Sequence, residues 1–148
     1  MSFMSKFLIQ GKDAGKMLNR LSTANVDGKE GEITYTQWLN DDGKMEADLT
    51  VCKLDPTNNT ILGGGGGGEN GGSYLVVATD TAHRHVQNWM NRGGNEFRSD
   101  NGNDIRNWTI TDVTGAFAQI NIQGPNSRKL MSSIVDDCSL DNNNFPFR

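Results

Sequence analysis

The stretch TYTQWLNDDGKMEADLTVCKL, residues 34–54, decides the fold. It reads as two β-strands, residues 32–40 and 44–54, around the turn Asn40-Asp41-Asp42-Gly43. In the second strand Met45, Ala47, Leu49 and Val51 alternate with polar residues, and Asp48 sits between two of these apolar neighbours. Glu46 and Thr50 share its face. The pattern allows two readings of Asp48: an outward-facing solvated charge, or a carboxylate lining a cleft and fit for proton transfer. Register matters here. A three-residue loop pairs Asn40 with Lys44 and sets Tyr35 on the opposite face from Asp48, whereas a four-residue loop or a bulge brings the two to one face.

Outward from the hairpin, residues 3–10 alternate as a strand, and Ala14, Met17, Leu18 and Leu21 follow at helical spacing over 13–22. After the hairpin, Asp55-Pro56 closes the second strand. ILGGGGGGENGGS then reads as a mobile low-complexity insertion, with its glycine-rich part at 63–72. It contains G-x-G-x-x-G only as any glycine run does, and a strand, SYLVVAT, follows it where a dinucleotide site needs a helix. A helix is expected over 80–92, with Thr79 or Asp80 as N-cap and Ala82, Val86, Trp89 and Met90 on one face. Residues 93–104 read as a loop, 106–113 and 116–123 as strands, and Pro125 as the start of a last helix with Leu130, Met131 and Ile134. The expected fold class is α+β, with antiparallel sheets and helices packed on one face. The β-α-β-β rhythm can be read twice, without a convincing sequence repeat.

The 148 residues suit one domain with a real core. The net charge of −4, without a basic block, argues against nucleic acid, and no apolar run reaches the roughly 20 residues of a membrane span. No targeting segment is visible at the N-terminus. Two distant cysteines, Cys52 and Cys138, make neither a disulfide framework nor a zinc site. His83 and His85 stand at i and i+2 on a helix, point to different faces and read as solvated residues, so no metal site is expected. Trp38, Trp89 and Trp108 read as core or half-core aromatics.

Four segments carry a resemblance: SKFLIQGKDAGKMLNRLSTANVD (5–27), GEITYTQWLNDDGKMEADLTVCKLD (31–55), YLVVATDTAHRHVQNWM (74–90) and INIQGPNSRKLM (120–131). In this order they resemble the folate-binding domain of the glycine-cleavage T-protein (aminomethyltransferase, GcvT-like) family, in particular the copy fused to mitochondrial dimethylglycine and sarcosine dehydrogenases. The family's hairpin form L-N-x-x-G-G-x-x-x-D is met from Leu39 to Asp48, its N-W at Asn88-Trp89, and its Q-G-P-x-S-R at 123–128.

The resemblance implies tetrahydrofolate as cofactor and a one-carbon unit accepted from amine or glycine catabolism. It makes Asp48 the catalytic carboxylate, partly buried against a cavity, and Tyr35, Val77 and Thr79 cofactor-binding residues. Thr79 stands where the family commonly has Asn, Lys44 replaces the second turn glycine, and Ala47 replaces a frequent second Asp. It further implies that residues 1–148 are the N-terminal part of the domain, without its C-terminal half and without a FAD site. The implied partners are folate and a FAD-dependent amine dehydrogenase domain or a lipoyl carrier protein, and the implied location is the mitochondrial matrix. The alternative is a non-catalytic regulatory or interaction subunit related to the pyruvate dehydrogenase phosphatase regulatory protein.

Overall fold

The computed structural model describes residues 3–55, 71–100, 107–135 and 139–145. Five strands form one sheet: β1 (Met4–Gly11), β2 (Ile33–Leu39), β3 (Met45–Leu54), β4 (Gly72–Thr79) and β5 (Thr109–Asp112), in the order β2-β3-β4-β1-β5. Every neighbouring pair is antiparallel. Two helices, α1 (Ala14–Leu21) and α2 (His83–Asp100), cover one face, as the α+β reading requires.

The two faces follow from strand alternation. Phe7, Ile9, Trp38, Ala47, Leu49, Val51, Tyr74, Val76 and Ala78 point to the helix layer and are buried there. They meet Ala14, Met17 and Leu18 of α1 and Val86 and Met90 of α2, the apolar positions of the sequence pattern. Each of the larger side chains, removed from water, stabilises the fold by about 1.5–3 kcal/mol. Trp38 is held further by an indole N–H bond to Ser22 Oγ at 3.0 Å.

α2 departs from the sequence reading, since residues 93–100 continue the helix instead of forming a loop. Gly93 and Gly94 are there for contact, not for a turn. A Cβ on Gly93 would lie 2.3 Å from the end of Leu21 in α1, and one on Gly94 would lie 3.0 Å from the Trp108 ring. The helix entry also differs. Thr79 precedes a single 3-10 turn, Asp80–Ala82, and makes no side-chain capping bond. Residues 116–123 form no strand, because their alternation finds no ladder partner among the described residues, and Ile120 is 80% exposed. The last helix, α3 (Ser127–Ser132), has Asn126 at its N-cap position without a side-chain capping bond, so Pro125 lies before the cap. Leu130 and Ile134 are exposed. The glycine insertion at 63–72 lies outside the described residues apart from Gly71 and Gly72, and Gly72 opens β4. Cys138 is also outside them.

The histidines are not simply solvated. His83 Nδ1 lies 2.8 Å from Ser5 Oγ and its Nε2 lies 3.0 Å from Asp112, which ties α2 to β1 and β5. His85 pairs with Glu46 at 3.0 Å. Sequence spacing misses these partners because they come from other elements.

Candidate functional site

The hairpin turn keeps the three-residue form. Asn40 N–H donates to the Lys44 carbonyl at 2.9 Å, and Gly43 takes the positive φ of 74° that the turn demands. A bulge then shifts the register between Trp38 and Leu39: Leu39 faces Met45, but Trp38 faces Ala47. Glu46 is the extra residue, fixed by Asn40 Nδ2 at 2.7 Å and by His85. Past the bulge Gln37 faces Asp48 and Tyr35 faces Thr50, so Tyr35 and Asp48 leave the sheet on the same side.

That side is the one turned away from α1 and α2. Val77 faces Thr50 across β3–β4, which extends one row through Val77, Thr50 and Tyr35. Leu49 faces Ala78, so the same register carried one step further sets Asp48 beside Thr79. All four residues singled out from the sequence therefore share one face, within two adjacent rows. Asp48 departs from expectation in burial: it is exposed, not partly buried, because nothing among the described residues covers the β2–β3 part of this face. Tyr35 is 61% exposed and Val77 half-buried.

The two polar side chains are coupled. Asp48 nearby raises the Tyr35 pKa above the ordinary phenol value, and Gln37 acts in the opposite direction. Cys52, on the same face, has its thiol pushed up by burial, which argues against a thiolate nucleophile. Among the described residues no group of three His, Cys, Asp or Glu side chains could hold a metal ion, and no helix is long and apolar enough to cross a membrane.

A cavity lies elsewhere. About 410 Å³ opens at the hairpin tip beside α2, lined by Arg20, Asn40, Glu46, Trp89, Arg92 and Glu96 among others. Its charges mostly answer one another or near neighbours: Arg92 with Glu96, Glu46 with His85, Arg20 with Asp100. This polar crevice is tied to holding the bulge in place. The open face carries a carboxylate, a phenol and apolar surface together, and is the better candidate for chemistry.

The family model of the GCVT N-terminal domain matches residues 1–148. The chain belongs to this family. Among curated relatives, mitochondrial sarcosine dehydrogenase is 30% identical over 151 residues in Mus musculus and 31% over 147 residues in Homo sapiens, each match covering 99% of this chain. Aminomethyltransferase of Clostridium botulinum (strain Loch Maree) is 28% identical over 136 residues, 91% of this chain. The chain spans 15% of the length of the first two and 30% of the third. Among solved structures, the glycine cleavage system aminomethyltransferase T from Bartonella henselae superposes with a TM-score of 0.53 at 14% identity, covering 75% of this chain and 24% of that one. That likeness concerns the fold.

Proposed function

We propose that the helix-free sheet face binds tetrahydrofolate and serves one-carbon transfer of the aminomethyltransferase type. The observation that carries this is the convergence of Asp48, Tyr35, Val77 and Thr79 on one face through the bulge at Trp38/Leu39. The residues fit such a cofactor. A flat, largely exposed phenol ring offers an apolar stacking surface in the same row as Val77, and Asp48 and Thr79 offer an acceptor and a hydroxyl to the polar edge of a pterin. When bound, tetrahydrofolate supplies the amine nitrogens that take up the one-carbon unit.

The chain's own residues then have defined tasks. Asp48 takes a proton at its carboxylate, which is general-base chemistry. Tyr35 presents its ring face, while Val77 and Thr79 border the site on β4. A water-excluding site needs a cover over this face. The one-carbon donor is the product of a FAD-dependent amine dehydrogenase domain or of a lipoyl carrier protein, and the location is the mitochondrial matrix, which the names of the sarcosine dehydrogenase relatives support. The reading as a regulatory subunit draws no support from the relatives described.

The test is calorimetric titration of tetrahydrofolate into the chain and into Tyr35→Ala and Asp48→Asn. Weak binding by the chain that Tyr35→Ala abolishes is the expected result. Binding indifferent to both substitutions would contradict it.

A further inference from the structure

β3 is the middle strand of the candidate site, with β2 on one side and β4 on the other, and Thr50 stands midway along it. Tyr35 faces Thr50 from β2 and Val77 faces it from β4, so the three side chains form one row on the helix-free face. Directly opposed Cβ atoms in such a row lie about 4.5–5.5 Å apart. Asp48 is two residues away on the same face, roughly 6.6 Å along the strand. Other polar side chains here are already engaged. Thr79 Oγ1 lies 3.1 Å from Thr81 Oγ1, and Gln37 Oε1 accepts from Thr23 Oγ1 at 3.4 Å. Thr50 is half-buried, and its hydroxyl bonds to no other described residue yet stays open to solvent. Its branched Cβ restricts χ1, so the hydroxyl has few positions to sample.

The order of the row sets a condition on any ligand. A flat ring system that rests on both Tyr35 and Val77 must cross Thr50, and it strips water from the hydroxyl between them. A covered hydroxyl without a partner is costly, so the ring must bring a nitrogen or oxygen over that point. We propose that Thr50 is a further ligand-binding residue of this face: its hydroxyl makes the polar contact to the ring between the Tyr35 and Val77 surfaces. This role rests on the reading of the face as a tetrahydrofolate site, the pterin being a fused ring with nitrogens around its rim.

Thr50→Val keeps the shape of the side chain and removes the hydroxyl, whereas Thr50→Ser keeps the hydroxyl and removes the methyl. Urea unfolding and a ¹H–¹⁵N NMR titration with tetrahydrofolate, run on the same samples, separate packing from recognition. Thr50→Val should unfold at a urea midpoint equal to or above that of the unmodified chain, since it loses no bond to a described residue. It should bind tetrahydrofolate about 3- to 10-fold more weakly. Thr50→Ser should bind more tightly than Thr50→Val.

Unchanged affinity in Thr50→Val, or an equal loss in Thr50→Ser, would overturn the proposal. A lowered urea midpoint in Thr50→Val would overturn it too, because the hydroxyl would then serve the fold. Tyr35→Ala in the same titration keeps the two readings apart. Affinity that falls in Tyr35→Ala but not in Thr50→Val overturns the role of Thr50 and leaves the tetrahydrofolate reading standing. An unmodified chain that shows no binding at millimolar ligand overturns both.

Discussion

Asp27 offers a quantitative test of how the sheet is fastened to the α1 side. Tyr74 on β4 is nearly fully buried, and its hydroxyl donates to Asp27 Oδ1 at 2.5 Å, while Lys53 Nζ reaches the same oxygen at 2.8 Å. A hydrogen bond to a charged group contributes about 1.5–3 kcal/mol. Because the Asp27 side chain is 36% exposed, water replaces part of each bond, so Tyr74→Phe and Asp27→Asn should each cost about 1–2 kcal/mol at pH 7. At roughly 2–4 °C per kcal/mol, melting should fall by about 2–8 °C. Burial raises the Asp27 pKa, but the bonds from Lys53 and Tyr74 and the Lys53 charge outweigh it and leave the value lowered. A lowered folded-state carboxyl contributes stability that is complete above the unfolded value of about 3.9 and is lost as pH falls through the folded one. Urea unfolding of the chain and of Asp27→Asn at pH 7, 5, 4 and 3 measures this. The gap between them should be steady from pH 7 to 5 and narrow below about pH 4. A gap at pH 3 equal to that at pH 7 would refute the reasoning.

Gly15→Ala should destabilise despite better helix propensity, worth about 1 kcal/mol, since the new Cβ would sit 2.3 Å from Tyr74 Oη and 2.7 Å from Asp27 Cγ. Gly93→Ala drives a Cβ against Leu21, which packs on the core, so thermal unfolding should show a loss of about 1 kcal/mol. Asp48→Asn changes an exposed side chain and should leave stability within about 0.5 kcal/mol. In a full-length relative carrying the same substitution at the matched residue, one-carbon transfer should slow at least about a hundredfold, with amine oxidation nearly unchanged. His83→Ala removes the bonds to Ser5 and Asp112 and should cost about 1–3 kcal/mol, with faster amide exchange in β5 as the direct readout.

The alternation in β3 and β4 and the helical spacing in α1 were legible in the sequence because each element buries one face, and burial imposes the period. The bulge was not. It depends on Glu46 finding Asn40 and His85, and His85 comes from a helix distant in the chain. Without it the turn alone would set Tyr35 and Asp48 on opposite faces, so the most consequential feature of the site is a tertiary one. Gly93-Gly94 looked like a loop because glycine signals turns as readily as close approach, and only the contacts with Leu21 and Trp108 separate the two. AFAQINIQ (116–123) shows the converse: alternation makes a strand possible, but a strand needs a neighbour.

The measurement closest to the central claim is a ¹H–¹⁵N NMR titration of the chain with tetrahydrofolate under anaerobic conditions, which detects even weak binding. The account predicts that the perturbed amides cluster on β2, β3 and β4 around Tyr35, Asp48, Val77 and Thr79, and that Asp48→Asn alters the pattern there. Perturbations confined to α1, α2 and the crevice beside Arg92, or none at millimolar ligand, would contradict it.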